Sequence, residues 1–394
     1  MKNPTRVLCV GREVGPLVHL LRETVPNLQI GAVDVLANED TRQYADWAFS
    51  VEKQNENTSI CRPKLRSLEE LLYELAQVMM EEISFDLVIP SSPFQTRLDY
   101  LEGMSKQTET FMPDRSTLEQ TTTAFKFLSS IETCSPSLLH HVEGEVALSE
   151  LETDDLPGIL ITKDGNYFLN EKTASSNLRS RTLKGFYVTT SQIHCASFLV
   201  STHNSQFLGV QTLDPPYQHT FFPNLLERNS ILPYSASGVS SLSEIMDYGR
   251  NLIHSLDLSG MITFYFCHSS RYLVPFSCNL LPDENLGLWA RNHPRVITQF
   301  LTTPSHILGQ PSPKVDFAYR IPIHSRRPLI VPSLPKRISN QRNFAGVLSH
   351  PEYPICAISG SDTSPHEAEK QKTEVLAKLT QIFEPSSQHS VLEV

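Results

Sequence analysis

What most restricts the fold is a regular alternation between Arg6 and Pro90. Arg6-Val-Leu-Cys-Val-Gly11 is an apolar run of strand length that ends on glycine. Val14, Leu17, Val18, Leu20, Leu21 and Val25 then recur close to helical spacing. Ile30-Gly-Ala-Val-Asp34 and Ala48-Phe-Ser-Val51 predict two further strands. Ser67 and Glu70 form a capping box ahead of a helical face made by Leu68, Leu71, Leu72, Leu75, Val78, Met79 and Ile83. Phe85-Asp-Leu-Val-Ile-Pro90 predicts a fourth strand. Strands and amphipathic helices in this order predict a small parallel α/β domain.

The middle of the chain changes character. Ser116 and Glu119 predict the start of a helix running to Leu128. Short strands follow: Gly158–Thr162 and Tyr167–Leu169 around a Lys163-Asp-Gly-Asn166 turn, then Gly185–Val188, Ala196–Val200 and Phe207–Thr212. Ser241 and Glu244 cap a helix to Leu256, and Met261–Phe266 and Tyr272–Phe276 predict a hairpin in the α+β style. The last hundred or so residues are proline-rich, with strands at Val315–Ile321 and Pro354–Ser359. Ser364, Pro365 and Glu367 open a final helix whose apolar face is Ala368, Val375, Leu379, Ile382 and Phe383.

Composition narrows the chemistry. The chain has 16 glycines in 394 residues, about 4% against a usual share of roughly 7%. It contains no G-x-G-x-x-G and no G-x-x-x-x-G-K-S/T, which excludes the two commonest glycine-rich phosphate loops. A net charge of −10 argues against nucleic acid as a partner. The one basic set (Arg320, His324, Arg326, Arg327, Lys336, Arg337, Arg342) is interrupted by prolines and reads as a solvated loop. Seven cysteines without C-x-x-C spacing fit buried free thiols and a cytoplasmic protein. No apolar run has membrane-spanning length.

Other clusters are thin. His140-His141 with Glu143 and Glu145 reads as a polar loop, because adjacent histidines point apart on a regular element. His194 and Cys195 face opposite sides of a strand, which disfavours a thiol–base pair. Arg12 and Glu13 follow the first strand, where a parallel sheet presents its ligand edge, so Arg12 is a binding candidate.

The order of elements and four local strings resemble the ATP-grasp superfamily, in particular the archaeal and bacterial ATP-dependent carboligases related to biotin carboxylase. Val7–Gly11 with Val33-Asp34 and Asp40–Asp46 resembles the N-terminal domain of that branch. Cys195–Leu199 with Gly209–Thr212 resembles its central sheet, and Leu256–Asn279 the helix and hairpin that reach its metal site. Pro354–Phe383 resembles its closing segment. The resemblance implies an α/β and α+β chain with ATP-grasp architecture. Residues 1–112 would be a Rossmann-like pre-ATP-grasp domain and 113–300 a split ATP-grasp domain. Residues 301–384 would be a biotin-carboxylase-like closing segment, before a disordered tail at 385–394.

The resemblance also implies ATP and Mg as cofactors, and joining of a carboxylate to an amine through an acyl phosphate. The sequence departs from the motifs that serve this chemistry. Asn170 stands where a phosphate-binding lysine is expected, with Lys163 and Lys172 as the nearest substitutes. The stretch Thr173–Ser180, where a glycine-rich cover belongs, has no glycine. The two metal-ligand positions align near Thr263 and with Ser277-Cys278-Asn279, which leaves Asn279, with Asp283 and Glu284 just beyond, as metal candidates.

These departures lead to the expectation that catalysis is lost or weakened and that the chain is a binding or scaffold subunit. Its partner would be a small molecule or a protein, in a homodimer or a hetero-oligomer. The alternative is an active carboxylate–amine ligase in biosynthesis of a one-carbon cofactor of the methanofuran or methanopterin type. A third reading is a small-molecule-binding protein that keeps only the N-terminal pocket.

Overall fold

The computed structural model describes residues 4–12, 14–35, 39–51, 67–134, 143–147, 158–163, 166–169, 184–189, 192–201, 204–213, 230–232, 242–268, 273–283, 286, 289–290, 293–303, 317–325, 329–330, 342–343, 348–349, 354–362, 364–383 and 392–393. The chain forms two compact units, one of Met1–Met112 with Leu281–Val394 and one of Pro113–Leu280.

The first unit begins with β1 (Arg6–Gly11), α1 (Gly15–Thr24), β2 (Gln29–Asp34), α2 (Glu39–Tyr44) and β3 (Trp47–Ser50). Then come α3 (Leu68–Glu82), β4 (Leu87–Pro90), a 3-10 turn at Ser92–Thr96, α4 (Leu98–Ser105) and β5 (Glu109–Thr110). The strands form an all-parallel sheet in the order β3-β2-β1-β4-β5, as the alternation predicts. Val7, Leu8, Cys9 and Val10 of β1 are fully buried, and so are Val88 and Ile89 of β4. Ser67 caps α3 by accepting from the Glu70 N–H at 3.2 Å, a contact whose loss typically costs about 1 kcal/mol. The sequence reading misses α2 and α4. Glu39–Tyr44 has no apolar period; Arg22 ties its end down, donating to the Tyr44 carbonyl at 2.9 Å and pairing with Asp46 at 2.7 Å.

At the amino edge of this sheet, Asp86 Oδ2 accepts from Thr5 Oγ1 (2.7 Å), Thr5 N (2.7 Å) and Arg6 N (2.9 Å). These bonds hold its carboxyl below the ordinary range. A depressed carboxylate adds stability that is complete above its unfolded pKa of about 3.9 and is lost as pH falls through the lower folded value. Asp86→Asn is therefore expected to be less stable at neutral pH and to lose less on acidification below about pH 4. Urea unfolding along the acid limb checks this; parallel limbs for parent and variant would refute it.

The second unit holds α5 (Arg115–Thr121), α6 (Ala124–Cys134), β6 (Glu143–Ala147), β7 (Gly158–Ile161), β8 (Asn166–Leu169) and β9 (Lys184–Thr189). It continues with β10 (Gln192–Ser201), β11 (Asn204–Leu213), β12 (Ser230–Leu232), α7 (Leu242–Ser255), β13 (Gly260–His268) and β14 (Leu273–Asn279). One antiparallel sheet runs β6-β9-β7-β8, and a second runs β14-β13-β10-β11-β12.

Two expectations are corrected in this unit. The helix from Ser116 to Leu128 is two helices, and the first is preceded by Asp114 as N-cap. Three successive β-branched threonines break it: Thr121 Oγ1 donates back to the Thr117 carbonyl at 2.9 Å. Thr123 Oγ1 accepts from Lys126 N at 3.2 Å and so caps the second helix. Glu143 and Glu145, expected in a loop, lie on β6 and pair with Tyr187 and Phe186 of β9. His140 and His141 lie outside the described residues.

The first unit resumes with α8 (Pro294–Thr302), β15 (Phe317–Ser325), β16 (Leu329–Ile330), β17 (Arg342–Asn343), β18 (Leu348–Ser349), β19 (Pro354–Asp362), α9 (Pro365–Phe383) and β20 (Leu392–Glu393). Arg320 and His324 therefore sit on a strand, not in the expected basic loop, and Arg342 on another. β19 pairs antiparallel with β15 and β17; β20, inside 385–394, pairs with β15. Ser364 precedes α9 as expected, and Asp362 braces it, accepting from Ser364 N and from Gln371 Nε2, each at 3.1 Å. α8 joins the early residues through Thr298 Oγ1, 2.7 Å from Thr24 Oγ1, and through Phe300 edge-on to Phe111 at 5.8 Å.

Candidate functional site

In the second unit, β10, β13 and β14 meet in regular register: Ser197 opposite Thr263, Thr263 opposite Asn279, Cys195 opposite Tyr265 and Tyr265 opposite Ser277. Paired residues share a face of the sheet, and residues two apart share it too. One face is aromatic and covered by helices. Phe264 lies 5.9 Å from Phe198 and 6.1 Å from Phe127 of α6, and a side chain at Gly249 of α7 would run into Phe198. Ring pairs of this kind add about 0.5–1.5 kcal/mol each beyond their buried area.

The opposite face carries Cys195, Ser197, Thr263, Tyr265, Ser277 and Asn279. Ser197 and Thr263 are almost fully buried (0% and 1% exposed) and share a hydroxyl–hydroxyl hydrogen bond of 2.9 Å. Asn279 Nδ2 donates to Tyr265 Oη at 3.3 Å. No Asp, Glu, Lys or Arg occurs anywhere in β10, β11, β13 or β14. The thiol of Cys278, turned to the aromatic side, is pushed well above its ordinary pKa by burial, which leaves it a packing group.

Magnesium takes hard oxygen ligands and is usually bound through one or two carboxylates. The residues of this face do not fit it, because they offer hydroxyls, the Cys195 thiol, and the amides of Asn279 and of Gln211 opposite Cys195 on β11, but no anionic oxygen. Among the described residues, no group of three or more His, Cys, Asp or Glu side chains could hold a metal ion.

The expected site residues fall in different places. Lys163 is exposed at the end of β7, its Nζ 5.5 Å above the Phe125 ring, an ordinary cation–π packing position. Asn279 lies on the sheet face just described. Asp283 is 6% exposed and belongs to the first unit, not to the sheet that carries Asn279. Lys172, Glu284 and Asn170 lie outside the described residues. His194 and Cys195 are both buried in β10.

Arg12 is half-buried just past β1, at the carboxyl edge of the parallel sheet. Its N–H donates to Ser91 Oγ at 3.1 Å, and Ser91 N donates to the Val10 carbonyl at 2.9 Å. Asp34, 1% exposed at the end of β2, accepts from Val14 N at 3.0 Å through Oδ2. The sequence reading passes over Ser91, Asp34 and Ser197 as functional groups, and names Thr263 only as the place where a metal ligand is missing. A usable signal exists for the first two, since each stands at or just after the carboxyl end of a parallel strand.

No protein-family model matches the sequence, and no curated protein is significantly similar to it. Solved structures do match in fold. Biotin carboxylase from Campylobacter jejuni, in a β-γ-ATP complex, superimposes with a TM-score of 0.69 at 13% identity, over 95% of this chain and 91% of that one. L-amino acid ligase from Bacillus licheniformis gives a TM-score of 0.64 at 12% identity, over 96% and 98%. Rhizobium etli pyruvate carboxylase gives 0.67 at 12% identity; the match covers 95% of this chain and 39% of that much longer one. At these identities the likeness is one of fold, and the ATP-grasp architecture that the sequence resembles is the architecture of this chain. No helix among the described residues is long and apolar enough to cross a membrane.

Proposed function

We propose that this chain is a non-catalytic member of the carboxylate–amine ligase lineage, acting in the cytoplasm as a binding or scaffold subunit, as a homodimer or with another protein. The observation that carries this reading is the uncharged sheet face. Where the resemblance implies a metal-binding carboxylate, Thr263 is tied to Ser197, and of the second metal string only Asn279 remains. Phosphoryl transfer depends on positioned charge around the phosphates and their metal. A face whose polar groups bond one another supplies no such charge.

Calorimetry with MgATP tests the reading. The expected result is no saturable heat and no shift in melting temperature at millimolar nucleotide. Binding with a Kd of about 10 μM would stabilise the protein by about 2.7 kcal/mol at 1 mM ligand, a readily measured shift, and would overturn the proposal.

A second reading is an active ligase, in one-carbon cofactor biosynthesis or elsewhere. Lys163 and Lys172 would hold phosphate, and Asn279, Asp283 and Glu284 the metal. What favours it is the likeness in fold to an L-amino acid ligase over 98% of that chain. Under it MgATP binds, and Lys163→Ala or Asp283→Asn weakens that binding at least tenfold.

A further inference from the structure

In an open parallel sheet the ligand crevice lies at the carboxyl ends of the strands where the strand order reverses. Here that is the space between β1 and β4, beside the N-terminus of α1. In dinucleotide-binding sheets, anions are drawn there by free N–H groups and by the positive end of the helix. α1 spans ten residues, has no acidic residue in its first turn, and has Val14 as N-cap with no side-chain cap bond. Among the described residues, its first turn and cap therefore supply no anion of their own.

The chain supplies one from a distance. The Asp34 carboxylate, twenty positions on, takes the Val14 N–H at 3.0 Å and is 1% exposed. Ser91 takes the Arg12 N–H, and its side chain occupies the space that a Cβ on Gly11 (φ +154°) would need. Among the described residues of 1–112, the buried polar side chains are Asp34, Thr41, Ser50, Ser91 and Gln95, none more than 6% exposed. All five lie at or beyond the carboxyl ends of the strands, and none lies at the amino edge. At the crevice of this topology, the Val14 and Arg12 N–H groups are already taken by the chain's own Asp34 and Ser91.

We propose that Asp34 is a resident anion: it occupies the position a ligand phosphate or carboxylate would take at α1, and the N-terminal unit accordingly takes no anionic ligand there. This inference is independent of the nucleotide question in the second unit. It sets aside Arg12 as an anchor for a phosphate at this edge. It also assigns Asp34 a role different from that of the acid at the end of the second strand in dinucleotide-binding sheets, which bonds a ribose.

Thermal unfolding of the full chain, Asp34→Ala and Asp34→Asn, in sodium phosphate and in sodium chloride of equal ionic strength, tests it. The parent is expected to show only the small, non-saturating gain that phosphate gives proteins generally. Asp34→Ala, which removes both charge and bulk, is expected to melt lower in chloride and to recover roughly 2–4 °C more than the parent in phosphate, with saturation. Asp34→Asn keeps the shape and one acceptor oxygen. It is expected to melt below the parent without a specific phosphate gain, and it reads the charge even if Asp34→Ala does not fold. A saturable phosphate gain in the parent overturns the proposal, and so does an Asp34→Asn that melts with the parent. A folded Asp34→Ala that gains no more from phosphate than the parent would overturn it as well.

Discussion

Replacing Thr263 by glutamate is expected to cost about 3–5 kcal/mol of stability at neutral pH, the cost of an unpaired buried charge. The position is 1% exposed, its hydroxyl partner Ser197 is equally buried, and no Lys or Arg lies on β10, β11, β13 or β14. Burial would raise the pKa of the new carboxyl, so the deficit shrinks as pH falls toward that raised value and is complete above it. Chemical denaturation of parent and variant at two pH values measures both effects. Thr263→Val separates charge from packing: it strands the Ser197 hydroxyl and should cost only about 1–2 kcal/mol. Removing both hydroxyls, with Ser197→Ala added, should recover much of that loss.

The Thr263→Glu variant also divides the two functional readings. A face that has given up metal chemistry will not be rescued by magnesium, because a single carboxylate without its neighbours makes a poor site. If millimolar Mg restores the lost stability, with or without ATP, the sheet face retains the rest of a metal site and the scaffold reading fails.

A second large effect is expected at Gly11. Its φ of +154° disfavours any side chain, and a Cβ there would overlap Ser91 Oγ. Gly11→Ala should cost about 2–6 kcal/mol, from backbone strain of about 1–3 kcal/mol together with overpacking of similar size. Ser91→Gly in the same chain removes the overlap and leaves the strain, so the double variant should regain about half. The two substitutions together should therefore show a coupling of about 1–3 kcal/mol in a double-mutant cycle. Additive losses would mean that Ser91 is not what fills the space over Gly11.

The sequence is most informative where burial and periodicity act together. β1, β2 and β4 are apolar through their middles because helices cover both faces of a parallel sheet, and such runs are visible without any structure. The hairpin of β13 and β14 is legible for the same reason. Short elements are not: α2 is six residues long and is held by Arg22 from another helix, so nothing in its own residues announces it. The helix break at Thr121–Thr123 is local chemistry and could be read, but Ser116 with Glu119 imitates a capping box two positions after the true N-cap, Asp114.

The candidate site divides in the same way. A missing carboxylate can be read from aligned strings. That Thr263 faces Ser197, sixty-six positions away, depends on strand register, which no local pattern encodes. Asp34 bound to Val14 is equally non-local.

The two units also differ in how the ribosome delivers them. Pro113–Leu280 is one continuous stretch, whereas its companion is assembled from both ends of the chain. The five-stranded parallel sheet is synthesised early, yet Thr24 waits for Thr298, which arrives 274 positions later, and Phe111 waits for Phe300. At about 5–20 residues per second, that interval lasts roughly 15–50 seconds. During it the face of α1 that α8 will cover stays open to wrong partners, while the later-made unit can already close on itself. Nascent-chain proteolysis would therefore find protection of the internal unit before that of the amino-terminal one, the reverse of their order in the gene.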